Sequence, residues 1–361
     1  MRKRTKFRIG WVITDQLEKM PYFPRIDTGV GGISLARMHW IAQRINGSSK
    51  NRLHYEVYKP WKHFDGLIFL KAMGEKSERL ARRYLRQDRP VIFDANVNYY
   101  TTFGVEHYQG MLPTPVQRDQ AVTLTREVTA VIADSRYIAK ECQSLNDNVV
   151  WIPDNVETGI VPPFLNRVRS KPLRMVWCGE AIKLFELLVI EDVLRAFSKH
   201  CQLILITGDL SASSRWKKNY KARIDKLLDD IGALLIPFQG AHALLNQYQN
   251  SDVVLSPRFL DNSYNLGHTE WKITLAMACG CVAVASPIPS YEEVRKRSSD
   301  EAITLCNTKE EWCQAFENLL VEGVRNDSRE MAMIVVDKHY SSRVVAETHS
   351  RFLERLLDDH T

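Results

Sequence analysis

Short apolar runs alternate with amphipathic helical stretches along nearly the whole chain, and this pattern restricts the possible folds more than any other feature. Apolar runs too short for a helix and bounded by turn residues read as strands buried on both faces. When helix-length stretches separate them, the strands form parallel sheets wrapped by helices. In the first half the pattern predicts strands over residues 7–13, 55–58, 66–70, 90–93, 130–133 and 149–152, with helices over 33–44, 77–87, 120–126 and 136–144. In the second half it predicts strands over 173–178, 202–207, 233–237, 253–256, 282–285 and 302–305, and helices over 186–199, 215–230, 242–248, 270–279, 309–321 and 329–339. Between the halves, Gly159, Pro162, Pro163 and Pro172 interrupt helical periodicity. The expected division is a first domain over 1–158, a linker over 159–172, a second domain over 173–340, and a last amphipathic helix within 341–361 that can cross back onto the first domain. A chain of 361 residues exceeds what one core usually organises. The fold class is therefore α/β, with two doubly wound units and a cleft between them.

Lys and Arg number 49 against 43 Asp and Glu, a formal net charge of +6 that suits an anionic ligand without choosing one. Five basic residues (Arg2, Lys3, Arg4, Lys6, Arg8) precede or open the first strand with no apolar stretch of signal character before it. They read as a basic tail or as a peripheral contact with the inner membrane face. No run approaches the roughly 18 apolar residues of a spanning helix, so a cytoplasmic protein is expected. The seven cysteines form no Cys-x-x-Cys pair and several fall in strand-like runs, as small buried hydrophobes do in a reducing compartment.

In open α/β sheets, ligands bind beyond the C-terminal ends of the strands. Four stretches fall there. Thr28-Gly29-Val30-Gly31-Gly32-Ile33-Ser34 opens a helix, and Gly31 and Gly32 permit close backbone approach to a phosphate or acceptor; a plain helix-capping turn is the alternative. It matches neither Gly-x-Gly-x-x-Gly nor a Walker loop. Asp154-Asn155-Val156-Glu157 follows the 149–152 run and reads equally well as a turn. Trp177-Cys178-Gly179-Glu180-Ala181-Ile182-Lys183 offers Gly179 for a turn and Lys183 as a point charge for a diphosphate. The longest stretch, residues 256–286, reads strand end, polar loop, helix start, small-residue helix, glycine stop and strand, followed by a proline-bearing loop at Pro287-Ile288-Pro289-Ser290-Tyr291. Its loop and helix start are a natural seat for a diphosphate, with Arg258, Asn265 and Lys272 as partners.

Ala276-Met277-Ala278-Cys279-Gly280-Cys281-Val282-Ala283-Val284-Ala285-Ser286 resembles the EAMACGxPVVAS segment of retaining GT-B glycosyltransferases of the group 1, family 4-like type. Val131-Ile132-Ala133-Asp134-Ser135, Ile152-Pro153-Asp154-Asn155-Val156-Glu157 and the Gly31-Gly32 pair resemble its other landmarks, in the same order along nearly the whole chain. The resemblance implies two Rossmann-like domains and transfer of a sugar from a nucleoside diphosphate sugar to a saccharide or lipid-linked acceptor, as in polysaccharide biosynthesis. It also implies retention of configuration and no obligatory metal or other cofactor. The donor would lie against the second domain near Gly179, Lys183, Arg258, Asn265 and Lys272. The family's Glu-x7-Glu pair falls on Gly267 and Leu275, and the glycine–arginine step before its donor lysine falls on Gly179-Glu180. Glu270 is a candidate to replace the missing carboxylate. Asp94, with Glu106 or His107 beyond it, is the first-domain polar group placed to face the cleft; a cap or solvated loop residue is the alternative for each. Asp94 and Glu270 are thus the candidate catalytic carboxylates.

Loss of the glutamate pair leaves room for a protein of the same shape that binds a nucleotide sugar or a partner without turnover. An epimerase on this fold would need grouped carboxylates and histidines, and none of the ten histidines falls in a motif that demands it. No zinc-finger spacing or aromatic–basic sheet motif supports nucleic-acid binding.

Overall fold

The computed structural model describes residues 6–13, 35–161, 172–217 and 219–359. The first half forms a six-stranded sheet from β1 (Phe7–Val12), β2 (Leu53–Val57), β3 (Gly66–Leu70), β4 (Val91–Ala95), β5 (Ala130–Ala133) and β6 (Val149–Trp151), in the order β2-β1-β3-β4-β5-β6. The second half forms another from β7 (Leu173–Cys178), β8 (Cys201–Thr207), β9 (Leu234–Pro237), β10 (Val253–Ser256), β11 (Val282–Ala285) and β12 (Ile303–Leu305), in the order β12-β11-β10-β7-β8-β9. Every strand pair in both sheets is parallel. Parallel sheets carry helices on both faces, so their central strands must be apolar on both sides. In β3, Leu67 and Phe69 enter one core and Ile68 and Leu70 the other. In β10, Val254 faces one core while Val253 and Leu255 face its opposite.

The chain crosses between the halves twice. After Val156, whose N–H donates to Tyr340 O at 2.8 Å, it enters the second half; it returns where Ser342 N–H donates to Val156 O at 2.7 Å. The last helix, Ser342–Asp358, packs Val345, Phe352, Leu353, Leu356 and Leu357 into the core that holds Ile9, Trp11 and Ile68 of the first sheet. Each such buried side chain contributes about 2 kcal/mol. His349 Nδ1 and Tyr55 Oη lie 2.7 Å apart at the centre of that contact.

Four helical expectations are corrected. The single helix expected over 186–199 is a 3-10 segment, Ala181–Ile190, followed by a short α-helix, Glu191–Phe197. That segment buries Ile182, Leu184, Phe185, Leu187 and Leu188 together, and Phe185 stacks among His107, Tyr220 and Phe259, so burial on several sides outweighs a one-faced α pattern. The helix expected over 215–230 starts only at Tyr220, because Trp216 is drawn into a bridge with Tyr108 of the first half. The proline-bearing loop at 287–291 leads directly into a helix, Pro289–Arg297: proline at the first turn costs no hydrogen bond, and Arg295, Lys296 and Arg297 complement the helix dipole at its end. The helix expected over 329–339 begins earlier, at Glu322. Part of the expected linker lies outside the described residues. Among the described residues, no helix is long and apolar enough to cross a membrane.

Candidate active site

The C-terminal strand ends of the two sheets face each other across a cavity of about 870 Å³. Of the four cations that the second half contributes to its wall, Arg215 donates to Gln109 O at 2.7 Å, and Lys183, Arg258 and Lys272 are each placed by a strand end or a helix start. Gly179 directly follows β7, and its N–H donates to Ile206 O at 3.1 Å. A Cβ at this position would lie 2.9 Å from the Trp177 ring and 3.1 Å from Lys272 Nζ, so glycine leaves the space that Lys272 fills. Four residues on, Lys183 sets its Nζ 3.2 Å from His268 Nε2 and 5.3 Å from the centre of the Tyr264 ring. Arg258 follows β10 and is almost fully buried; its Nη1 donates to Glu186 Oε1 at 2.9 Å. Lys272 is the second residue of the helix Trp271–Ala278. Its Nζ lies 4.7 Å from the Trp177 ring centre and has no hydrogen-bond partner among the described residues.

The electrostatics follow from this crowding. Burial, then repulsion from Arg258 and Lys183, lowers the Lys272 pKa to about 7. Burial and Arg258 also lower that of Lys183, and burial with the surrounding cations holds His268 well below its ordinary value. Each of these groups would gain from a bound anion. Lys183, Arg258 and Lys272 thus concentrate positive charge on one stretch of the cavity wall.

The first half supplies Lys71, Asn96, Asn98, Asp134 and Asp154 to the opposite wall. Beneath them, Arg37 donates to Asp94 at 2.9 Å and to Ile152 O at 2.6 Å, and reaches Asp154 Oδ1 at 3.4 Å. Thr269 of the second half donates to Asp154 Oδ2 at 2.7 Å, and Trp271 Nε1 donates to Asn155 O at 3.0 Å, so this buried polar layer also joins the halves.

Gly179, Lys183, Arg258 and Lys272 therefore meet at one cavity. The other candidates do not line it. Asp94 is fully buried and tied to Arg37; its pKa rises to about 6 because desolvation outweighs the guanidinium. Glu270 directly precedes the Lys272 helix, buried and without a side-chain cap to it, and burial and Asp154 raise its pKa to about 8. Asn265 sits behind the wall, with its Oδ1 3.4 Å from Arg258 Nη1 and its Nδ2 donating to Phe259 O at 2.8 Å, so it positions the arginine. Gly31 and Gly32 lie outside the described residues. His107 faces away from the cavity: its Nδ1 lies 2.8 Å from Tyr220 Oη and its Nε2 3.0 Å from Asp261 Oδ1, while Glu106 pairs with Lys217.

Reasoning from the sequence missed Lys71, Tyr264 and His268, and it quoted Asp134 without a role. Lys71 directly follows a strand, which is the available signal; Tyr264 and His268 sit in the polar loop already singled out. The structure also gives a physical account of the absent glutamates. A Cβ at Gly267 would lie 2.7 Å from Asn98 Cβ, and Asn98 is held by hydrogen bonds to Thr101 and to Ser263 O, so a glutamate cannot enter this packing unless the wall moves. Leu275 continues an apolar wall with Leu244 and Leu245.

No protein-family model matches the chain, and no curated protein matches it in sequence. Solved structures do. Sucrose-phosphate synthase from Thermosynechococcus elongatus is similar over 98% of this chain and 100% of its own, at 12% identity and a TM-score of 0.70. A glycosyltransferase from Rickettsia africae is similar over 98% and 99% of the two chains, at 14% identity and a TM-score of 0.64. Anabaena HepE in complex with UDP and glucose is similar over 97% and 100%, at 12% identity and a TM-score of 0.68. These neighbours are glycosyltransferases of the GT-B architecture, and this chain has the same two-sheet fold.

Proposed function

We propose that the chain is a glycosyltransferase that holds a nucleoside diphosphate sugar against its second half, over residues 173–340, and an acceptor against its first, over residues 1–158. The observation that carries this reading is the convergence of Lys183, Arg258 and Lys272 on one interdomain cavity, with the Lys272 ammonium lacking a counter-ion among the described residues. Sugar transfer leaves negative charge on the departing diphosphate, and preorganised cations stabilise the transition state where that charge develops. The UDP and UDP-glucose present in structures of Anabaena HepE support a nucleotide-sugar donor. Retention at the anomeric carbon and a saccharide or lipid-linked acceptor are the finer terms the sequence resemblance implies, and a basic N-terminal stretch suits an acceptor presented at a membrane.

Gly267 and Leu275, at the places of the family's glutamates, favour a second reading: a binding protein of the same shape that does not turn over. One experiment separates the two. UDP, GDP, ADP, CMP and dTDP are screened by thermal shift against the wild type and Lys272→Ala, and the stabilising nucleotide's sugar is then followed for nucleotide release. A ligand at 100 times its Kd adds about 2.7 kcal/mol to native stability. Stabilisation of the wild type but not of Lys272→Ala, with nucleotide release, supports the transferase; stabilisation without release supports the binder. No stabilisation by any nucleotide refutes the transferase and leaves a partner-binding protein of the same shape.

A further inference from the structure

The first-half wall of the cavity carries polar groups that the donor reading leaves unused. Strands β3, β4 and β5 are adjacent and parallel, with Leu70 opposite Asp94, and Ala95 opposite Ala133. Lys71, Asn96 and Asp134 therefore leave neighbouring strand ends side by side, and all three line the cavity. Asp134 is fully buried, and neither of its carboxyl oxygens has a hydrogen-bond partner among the described residues. Asn96 is 6% exposed, and both its amide nitrogen and its oxygen are unpartnered there as well. Buried polar groups are almost always satisfied, so orphans lining a cavity mark hydrogen bonds left for a ligand. Asn96 offers donors and an acceptor, and Asp134 offers acceptors, on strands about 4.8 Å apart. That arrangement suits hydroxyls of one sugar ring.

Lys71 adds a charge. Its φ is 58°, in the left-handed region that a residue with a side chain seldom adopts. This conformation turns the chain at the end of β3 beside the cavity, and the ammonium makes no ion pair among the described residues. Lys71 lies on the first-half wall, close enough to Lys183 and His268 of the second half for their charges to act on one another.

We propose that Lys71, Asn96 and Asp134 form the acceptor subsite, and that the acceptor is a phosphorylated sugar, with its ring hydroxyls on Asn96 and Asp134 and its phosphate on Lys71. This assignment rests on the glycosyltransferase reading for the word acceptor, but its binding chemistry is tested separately. Full-length protein saturated with UDP is titrated calorimetrically with glucose, glucose 6-phosphate, glucose 1-phosphate and a short-chain prenyl diphosphoglucose, the last arm separating a lipid-linked phosphate from a free one. Wild type is expected to bind at least one phosphorylated sugar tenfold or more tightly than glucose. Lys71→Met is expected to erase that preference and leave the weak glucose affinity unchanged. Asn96→Ala and the near-isosteric Asp134→Asn are expected to weaken binding of the preferred sugar at least fivefold, with UDP affinity held within twofold in all three variants and unchanged far-UV circular dichroism. Wild type that binds UDP but no phosphorylated sugar, or a Lys71→Met variant that keeps the preference, overturns the subsite and leaves the donor site standing. If UDP does not bind, the same titrations on the free protein still decide the subsite, while the donor reading falls.

Discussion

At the residue scale, the most informative group is Lys272, an ammonium held among cations and aromatic rings. With its pKa near 7, a substantial fraction is neutral in the free protein at neutral pH. A diphosphate stabilises the charged form, so binding draws a proton onto the amine. UDP-glucose suits the test, because its diphosphate is esterified at both ends and keeps its charge from pH 6 to 9. The Kd for UDP-glucose is expected to stay flat below about pH 7 and to rise up to about tenfold per pH unit above it, until the raised pKa of the bound state is reached. Lys272→Met should bind more weakly and lose this slope. Calorimetry in buffers of different ionisation enthalpy measures the proton uptake directly, and a wild-type affinity independent of pH would remove Lys272 from the donor site. The lysines and Arg258 were legible in the sequence because they sit where strands end and a helix starts. Lys71, Asn96 and Asp134 were not assigned, because what distinguishes them is missing hydrogen-bond partners, which only a folded neighbourhood reveals.

At the element scale, the segment over residues 98–111 acts as a strap from the first half to the second. Val105 N–H donates to Asp261 O at 3.1 Å, Gln109 N–H to Arg215 O at 2.9 Å, and Lys217 N–H to His107 O at 2.9 Å. Tyr108 and Met111 enter the second half's core. Gly104 makes the crossing possible: its φ is 92°, and a Cβ there would lie 1.9 Å from Asp261 O. Gly104→Ala is expected to destabilise the protein by about 1 to 3 kcal/mol and to expose the strap to limited proteolysis. Gly47→Ala, where a Cβ meets nothing within 4 Å, is the control. Equal denaturation midpoints and equal cleavage for the two variants would show that the strap does not depend on this contact. Residues 96–114 form the loop that joins β4 to the helix Pro115–Glu127. The docking of this loop on the second half is set by backbone pairing with residues more than a hundred positions away, which no local pattern encodes.

At the scale of the whole molecule, Arg37, Asp94, Asp134 and Asp154 of the first half meet Glu270 of the second in one buried layer. Burial, then Asp154, raises the Glu270 pKa from 4.5 to about 8. A carboxyl whose folded pKa is raised keeps its proton when the unfolded chain has lost it. The folded state therefore binds more protons between about pH 4.5 and 8, and this group makes stability fall as pH rises through that window. Glu270→Gln, neutral at every pH, should reduce the decline: its Tm relative to wild type is expected to increase from pH 5 to pH 8 in scanning calorimetry. A constant difference across that range would mean that Glu270 ionises in the folded protein as freely as in the unfolded one.

The two-sheet architecture was legible because strands buried on both faces must be apolar runs, and the helices between them must repeat with their own period; both are local constraints written along the chain. Local pattern did not separate the residues that line the cavity from those that hold it up. Asp94, Glu270 and Asn265 have the chemistry of site residues, yet packing places them behind the wall, where desolvation and partners such as Arg37 and Arg258 set their state. The sequence alone determined the layers and the strand ends where a ligand can bind. Which side chains reach the ligand was decided only by tertiary structure, because burial, charge and unmet hydrogen bonds are properties of neighbours distant in the chain.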